Sequence, residues 1–393
     1  MKFDIWKECP KVPLPSVLLT VVDNRGKTVP TAPSGHKLIA TNCVRNENLY
    51  PVYEKIRYLS EETYRTWFRA HPEPGDIIFV CKGTPGRVCL VPDPIDFCIA
   101  QDMVALRADP KIVYNKYLLA VLRSFQIQEQ ILSTSVGDVI PHFKKSFFDQ
   151  IMIPIPNMDI QKSIGDFYYT ISEKTELNKK INDNLEQQAA ALFSSLYNRS
   201  NTEVRYTDLI QILGGGTPKT GETAYWNGNI AFFTPKDVGT PYTFITEKTI
   251  TEEGLSHCNS RLYPVNTVFV TARGTVGKVG LSGVPMAMNQ SCYALVGKKT
   301  HQLLVYFYTL KAVDRLKHKA SGAVFDAITT RDFDSEQIMK LSDDDAKAFL
   351  CVAEPMFQEI LNNSIENLRL STLRDFLLPK LMSGEIDVSS VQL

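Results

Sequence analysis

The sequence lacks the features that place a protein in a membrane or around a metal. It contains no run of about 18 apolar residues and no hydrophobic signal-peptide stretch at its start, so we expect a cytoplasmic protein with no membrane contact. Its 8 cysteines include no Cys-x-x-Cys pair, and no histidine is placed to complete a zinc quartet. We therefore expect no metal site and reduced, mostly buried thiols.

Motifs typical of a self-sufficient active site are missing as well. The chain has no Walker-type phosphate loop, no Gly-x-Ser-x-Gly turn, no Asn-Pro-Pro-aromatic string and no Asp paired with Glu-x-Lys. A glycine-rich stretch begins at Gly214, but Pro218 would break the helix that a dinucleotide site requires. The 6 histidines are scattered singly, and lone histidines are more often structural than catalytic. The sequence predicts no catalytic residue and no cofactor bound by this chain.

An excess of charge of one sign is also missing. The 43 Lys and Arg residues balance 43 Asp and Glu residues, and a zero net charge at first argues against a nucleic-acid partner. The distribution is less even, because residues 1–156 and 201–340 are mildly basic and the segments that follow them are acidic. This difference is small enough to be ordinary scatter, so charge alone decides nothing.

What the chain does contain is a repeat. Residues 76–90, DIIFVCKGTPGRVCL, return at 267–281 as TVFVTARGTVGKVGL, and later landmarks recur in the same order, with Ile151 matching Ile338. A length of 393 residues already calls for two or more domains. The repeat predicts two similar domains of short strands and loops, as expected of a protein that grips a target in two separated halves.

Each copy ends in a long helical pattern. Apolar residues recur every three or four positions from about Asp159, which predicts a helix of about 38 residues and roughly 60 Å. A second helix should begin near Ser342, in a sequence that resembles a capping box, and end near Gly384, while Pro355 should kink or split its first turns. The simplest arrangement is an antiparallel pair with pseudo-twofold symmetry. The alternative is that each helix packs on its own domain.

A polar loop inside the repeat carries groups suited to nucleic acid. Residues 82–87 read KGTPGR and residues 273–278 read RGTVGK, so a cation stands at both ends of each loop. Glycines allow close approach of the backbone, and Lys, Arg and Thr can donate to phosphates or base edges. Gln101 and the pair Asn289-Gln290 follow the loops, and such amides can read adenine. Equally, the glycines could serve only to make a tight turn.

Two further polar stretches and a group of aromatic residues could also contact nucleic acid, but their sequence patterns are less specific. DNRGKT at 23–28 and GGGTPK at 214–219 take equivalent places near the start of each copy. Tyr225, Trp226 and Phe233 could stack on bases, although aromatics that flank strands are more often core residues.

Together, these strings closely resemble the specificity subunit of type I restriction-modification systems over nearly the whole chain. The matching features are the family's opening motif in DNRGKT at 23–28, its alternative opening in GGTP at 215–218 with Tyr225, Trp226 and TPKDV at 234–238, the loop RGTVGK at 273–278, and the two helical tails. Pro85 inside the first loop and Pro355 inside the second helix depart from the family pattern.

The resemblance implies an α+β fold: two similar mixed α/β target-recognition domains, joined by two long antiparallel helices that form a pseudo-twofold coiled-coil spacer. It implies that this non-catalytic subunit binds a bipartite double-stranded DNA site. The expected partners are two methyltransferase subunits, which use S-adenosylmethionine, and possibly two restriction (motor-nuclease) subunits, which use ATP and Mg. The predicted segments are recognition domain 1 at 1–156, the central spacer helix at 157–200, recognition domain 2 at 201–341, and the C-terminal spacer helix and tail at 342–393.

The DNA-binding prediction rests on the repeated loops and the polar stretches near them. The residues predicted to contact DNA are Arg25, Lys27, Lys82, Thr84, Arg87, Gln101, Thr217, Lys219, Lys236, Arg273, Thr275, Lys278, Asn289 and Gln290. Two other functions stay open at this point: a methyltransferase or nuclease with an unrecognised site, and a helical adaptor that binds only protein.

Overall fold

The structure is a computed structural model that describes residues 3–24, 27–135, 141–239, 241–319 and 327–387. The chain divides into two compact units: unit 1 comprises Met1–Asn178 with Glu366–Leu393, and unit 2 comprises Lys179–Ile365. The division passes through both long helices instead of falling at their ends. The four segments and the pseudo-twofold symmetry expected from the sequence stay predictions.

Unit 1 contains short strands followed by helices. Its described strands are β1 (Lys11–Pro13), β2 (Leu18–Val22), β3 (His36–Ile39), β4 (Arg57–Leu59), β5 (Ile77–Val80), β6 (Val88–Leu90), β7 (Phe97–Ile99), β8 (Met103–Ala108) and β9 (Met152–Pro154). Its described helices are α1 (Ile5–Glu8), α2 (Glu61–Thr66), α3 (Asn115–Leu122), α4 (Phe125–Thr134) and the first part of α5 (Met158–Arg199).

These strands form three sheets, with orders β2-β8-β5-β6, β4-β3-β7 and β1-β9. Both faces of strand β5 are buried. Ile77 and Phe79 point into a core shared with α3, α4 and α5, whereas Ile78 and Val80 point into a core shared with β3 and β7. A strand covered on both sides reads as an unbroken apolar run.

Unit 2 has the same succession of strands, with the strand Tyr242–Thr243 added, and a single helix, Gln302–Lys319, where unit 1 has α3 and α4. Its described strands are β10 (Thr202–Arg205), β11 (Ile210–Gly214), β12 (Trp226–Phe233), β13 (Tyr242–Thr243), β14 (Lys248–Ile250), β15 (Val268–Thr271), β16 (Val279–Ser282), β17 (Met286–Met288), β18 (Cys292–Gly297) and β19 (Gln337–Lys340). Its described helices are α6 (Tyr206–Leu209), α7 (Glu252–Ser256), α8 (Gln302–Lys319), α9 (Thr330–Ser335) and α10 (Asp343–Met382), of which the last continues into unit 1.

The sheets of unit 2 have the orders β11-β18-β15-β16-β13, β14-β12-β17 and β10-β19. They match those of unit 1 strand for strand, apart from the added β13, which runs parallel to β16. The parallel pairs correspond too, since β3 pairs with β7 and β12 with β17. The prediction of two similar mixed α/β domains is confirmed.

The hydrogen-bond register corrects one landmark of the repeat. Val12 pairs with Ile153 in unit 1, and Val204 pairs with Ile338 in unit 2, so Ile338 corresponds to Ile153 and not to Ile151. The residue equivalent to Ile151 is Glu336, because the carbonyls of these two residues accept from equivalent amides. Matching apolar residues by sequence places a strand only to within two positions, since residues two apart share one face.

Helix α5 runs unbroken for 42 residues, as predicted, although it contains a glycine. A Cβ on Gly165 would lie 2.6 Å from the amide nitrogen of Tyr117, so the glycine lets α5 approach the first turn of α3. Glycine is unfavourable within a helix by about 1 kcal/mol relative to alanine, and here it allows close packing.

Helix α10 also runs without a break for 40 residues, and the predicted split at Pro355 does not occur. Pro355 lies on the exposed face, while Ala353 and Phe357 on either side are buried in the core and hold the helix in place. The ends follow the prediction: the Ser342 hydroxyl accepts from the Asp345 amide at 3.1 Å, and Gly384 adopts a φ of +66°.

Within each unit the two long helices pair in antiparallel directions. In unit 1, Arg374 lies over the ring of Tyr168, and Asn178 donates to Glu366 Oε2 at 2.6 Å. In unit 2, the corresponding contacts are Asn182 with Ser364 at 3.2 Å, Phe193 with Phe349, and Arg199 with Asp345 at 3.5 Å. The helices also pack on the domain of their own unit, so both arrangements considered from the sequence occur together. None of the described helices is both long and apolar enough to cross a membrane.

Candidate nucleic-acid interface

In unit 1 the repeated loop connects β5 to β6. The amide of Gly86 donates to the carbonyl of Val80 at 3.0 Å, and the amide of Gly83 donates to that of Pro141 at 2.9 Å. Gly83 and Gly86 have φ angles of +86° and +85°, a region that favours glycine. A Cβ on Gly83 would meet no atom within 4 Å, so its backbone is open to a partner.

The loop of unit 2, between β15 and β16, has the same backbone. The amide of Gly277 donates to the carbonyl of Thr271 at 2.8 Å, and Gly274 and Gly277 have φ angles of +80° and +73°. The Thr271 hydroxyl also accepts from the amide of Lys278 at 2.9 Å. The glycines therefore do make a tight turn, and Pro85 in the first loop leaves that turn unchanged.

The predicted cations of both loops are available to a partner. Lys82, Arg273 and Lys278 are exposed and Arg87 is half-buried. Among the residues that the structure describes, none of these four cations forms an ion pair. Thr84 is half-buried, whereas the exposed Thr275 donates its hydroxyl to the carbonyl of Pro235 at 3.1 Å. The loops thus present cations on both sides of an accessible backbone.

The predicted amides lie beside the loops but have different surroundings. Backbone bonds from Cys81 to Asp102 and from Ala272 to Ser291, each 2.8 Å, fix the residues after Gln101 and Gln290 against the loop. The Oε1 atom of Gln101 is buried without a hydrogen-bond partner among the described residues. The exposed Gln290 accepts from the hydroxyl of Thr217. The Asn289 oxygen accepts from the Ser291 amide at 3.0 Å, which leaves the Asn289 amino group to donate elsewhere.

In unit 2 several predicted residues meet in one cleft of about 480 Å³. It is lined by Thr217, Lys236, Gly274, Thr275 and Asn289, with Trp226 and Phe232 as its aromatic wall. The Trp226 indole donates to the carbonyl of Lys219 at 3.2 Å, which ties the glycine-rich stretch to that wall. Arg273, Lys278 and Gln290 do not line the cleft.

The same cleft contains a cation that the sequence did not single out. Lys248 lies on β14, with its Nζ 5.6 Å from the ring centre of Trp226. Lys236 pairs with Glu247 at 3.5 Å, and both line the cleft. Residues two apart in a strand lie on the same face, so the sequence could place Lys248 on the face of Ile250. It could not show that Trp226 lies beside Lys248, because the two residues are distant in sequence.

Other motif residues turn out to be structural. Asp237 of the TPKDV stretch accepts from the amide and the hydroxyl of Thr234 at 2.8 and 2.6 Å, and so closes that turn. Phe233 is fully buried, and Tyr225 stacks on His257. Phe233 belongs to the core, as expected, whereas Trp226 is partly buried: it packs against the cluster around Phe232 and also lines the cleft.

The opening stretch of unit 1 is also mainly structural. The buried Asn24 donates to the carbonyl of Ile99 at 3.0 Å and accepts from the amide of Arg69 at 3.0 Å. Asp23 pairs with Lys145, and Lys27 is exposed. Arg25 lies outside the described residues.

The thiols near the loops are poor nucleophiles. Burial raises the pKa of Cys81, just before the first loop, to about 12, and does the same for Cys292 beside the second. A thiol with such a pKa stays protonated at neutral pH. Across the described ranges, no group of three or more His, Cys, Asp or Glu side chains is arranged to hold a metal ion.

Comparison with known proteins assigns the family. The sequence model described as "Type I restriction modification DNA specificity domain" matches residues 32–187 and 198–340. The chain is 23% identical over 398 residues to the HindI specificity subunit of Haemophilus influenzae, covering 79% of this chain and 86% of that one. It is 32% identical over 124 residues to the MjaIX specificity subunit of Methanocaldococcus jannaschii, covering 30% of this chain and 29% of that one.

A solved structure confirms the fold. The crystal structure of the type I restriction-modification S subunit from M. genitalium aligns over 97% of this chain and 98% of that chain, with a TM-score of 0.61 and 16% identity. With two matched copies of the family domain, in the places where the two repeated loops occur, the chain belongs to the type I restriction-modification DNA specificity family.

Proposed function

We propose that the chain recognises a bipartite double-stranded DNA site, with one half read by the domain in each unit. The main support is the pair of loops at 82–87 and 273–278. They have one backbone geometry and carry, at equivalent positions, cations that form no ion pair with any residue the structure describes. A protein that displays the same reading element twice is suited to a target with two halves.

In this proposal, cations and amides contact different parts of the DNA. The loop cations Lys82, Arg87, Arg273 and Lys278 bind phosphates and position the duplex, because phosphate contacts give register but no sequence information. Gln101 and Asn289 read base edges by donating from their amino groups, because the Gln101 oxygen is buried and the Asn289 oxygen accepts from the Ser291 amide. The cleft of unit 2 adds Lys236 and Lys248 beside the aromatic wall.

We further propose that the chain is non-catalytic and assembles with methyltransferase subunits, which supply S-adenosylmethionine chemistry, and with restriction subunits where these are present. The supports are the family assignment and the inert thiols next to the loops. The paired long helices act as the spacer that sets the unread gap between the two half-sites. Partner subunits would neutralise many of the phosphates, which fits a chain with no net charge.

Exchange of one domain tests the proposal. Residues 1–156 are replaced with the matching segment of a relative, the protein is co-expressed with its neighbouring methyltransferase, and methylated adenines are mapped by whole-genome sequencing. We expect one half of the methylated sequence to change while the other half and the gap stay the same. The matched control is exchange of residues 201–341, which should change only the opposite half. A change in both halves after either exchange would contradict the proposal.

The two other functions predict different results. If the chain is itself an enzyme, it transfers methyl groups or cuts DNA without any partner. If it is an adaptor that binds only protein, its complex with methyltransferase shows the same affinity for every duplex of one length. Equilibrium binding and a methyl-transfer assay on the chain alone and on the complex separate all three.

A further inference from the structure

The two loops differ in what packs against their second glycine. In unit 1, Gln128 of α4 donates from Nε2 to the carbonyl of Gly86 at 2.9 Å and to that of Leu122 at 2.6 Å. Ile131 completes the contact, since its Cγ2 lies 3.0 Å from the place a Cβ on Gly86 would take. The flank of the loop that α4 forms is therefore neutral. The side-chain amide of Gln128 already donates to two backbone carbonyls.

In unit 2 the same place is taken by Val313 and Lys317 of α8, with Val313 in the position of Ile131 and Lys317 adding a charge. The Cε of Lys317 lies 2.6 Å, and its Nζ 3.3 Å, from the position of a Cβ on Gly277. Any larger residue at 277 would displace the Lys317 side chain, so the glycine provides the space in which the ammonium rests on the loop. Lys317 is exposed and forms no ion pair within the described part of the chain.

The charges along α8 set Lys317 apart from its neighbours. Arg315 and Lys319 lie one turn apart on one face and pair with the buried Glu336 at 2.8 and 2.5 Å. Lys317 lies between them in sequence and so points away from Glu336. Asp314, one turn earlier on the same side, contacts His318 at 3.6 Å, and no carboxylate among the described residues lies within ion-pair distance of Lys317. Helix α4, which takes this place in unit 1, contains one Glu and no Lys or Arg.

We propose that Lys317 is a third phosphate-binding cation of the unit 2 loop, beside Arg273 and Lys278, and that the loop of unit 1 has no equivalent. This inference rests on the proposed function. It assigns to the flank formed by α8 a phosphate contact that the neutral flank formed by α4 cannot make. Such a contact contributes affinity and salt dependence without changing the sequence read.

The test is the salt dependence of DNA binding by the complete complex. The full chain is co-purified with its methyltransferase subunits, and its affinity for a duplex with the methylated sequence is measured from about 50 to about 300 mM KCl. Each phosphate contact contributes about 0.9 to the slope of log affinity against log salt. We expect K317Q to lower the magnitude of that slope by about 0.9 and K317R to restore it, with the methylated sequence unchanged in both.

Lys299 provides the matched control. It is exposed and follows β18 at the end of that strand away from Ser291, which holds the loop. K299Q makes the same charge change and should leave the slope unaltered. A wild-type slope in K317Q, with specific binding intact, overturns the inference but leaves the proposed function standing. Equal binding of the wild-type complex to all duplexes removes the proposed function and the inference with it.

Discussion

The loops at 82–87 and 273–278 share their turn geometry but not their surroundings. Both place glycines at positive φ in the same two positions, and both close with the same backbone hydrogen bond. Around this common turn, unit 1 places Gln128 and Ile131, whereas unit 2 places Lys317 and an aromatic cleft. The repeated backbone therefore fixes where a loop stands, and the flanking elements determine what it offers to a partner.

The same contrast appears at the strand that precedes each long helix. Ile151 in unit 1 is buried among apolar side chains, and its equivalent in unit 2 is Glu336, which is fully buried with Arg315 and Lys319 against its oxygens. One fold thus accepts an apolar residue or an ion cluster at one position. Burying a carboxylate is tolerated only because both partners are present.

The largest effect is expected when this ion cluster is removed. Glu336→Ala should destabilise unit 2 by about 3 kcal/mol, since losing one member of a buried ion cluster typically costs about 3–5 kcal/mol and the two cations here keep part of their hydration. The triple variant Glu336→Ile, Arg315→Leu, Lys319→Leu, which removes the whole cluster and copies the apolar character of unit 1, should stay within about 1 kcal/mol of wild type. Hydrogen exchange resolved by unit measures both. Equal losses in the two variants would show that the positions are not equivalent.

A smaller effect is expected at the loop glycines. Gly83→Ala and Gly274→Ala should each cost about 1–2 kcal/mol, and about equally, because both sites need positive φ and neither is crowded. Gly86→Ala and Gly277→Ala should each cost more than these two. A buried side chain, Ile131 in unit 1 and Val313 in unit 2, lies 3.0 Å from the place of the new methyl group. Denaturant unfolding of the four variants tests this order, which the reverse ranking would refute.

The smallest effect is a difference in acid sensitivity. Burial lowers the pKa of His71 in unit 1, and nearby His36 adds to this, so the folded state binds its proton less readily than the unfolded chain. Its contribution to stability is therefore present above the ordinary value of 6.5 and is lost as the pH falls below it. Burial raises the pKa of Glu186 in unit 2, so protonation there stabilises the fold as the pH falls.

Hydrogen exchange between about pH 7 and pH 5.5 should accordingly show unit 1 loosening before unit 2. His71→Gln should remove part of that loss. Parallel behaviour of the two units in wild type would contradict this assignment.

Much of the fold could be predicted from the sequence because its signals are local. The spacing of apolar residues predicted both long helices. The repeated string DIIFVCKGTPGRVCL forms a strand, a turn and a second strand, and the same unit occurs again at 267–281. Pro355 misled because local chemistry says that proline ends a helix, while the burial of Phe357 on the next turn depends on tertiary packing. Lys248 and Lys317 could not be found from the sequence for a similar reason, since tertiary packing brings Lys248 to Trp226 and Lys317 to Gly277.

The hydrogen bond from Asn178 to Glu366 has a consequence for how the protein could be dissected. The chain leaves unit 1 after Asn178 and returns to it at Glu366, and these two residues are joined by a hydrogen bond. Unit 2 is therefore an inserted domain, and the two points at which it joins unit 1 are adjacent in space. A few flexible residues joining 178 to 366 would replace unit 2 and leave unit 1 with its own sheets and its own repeated loop.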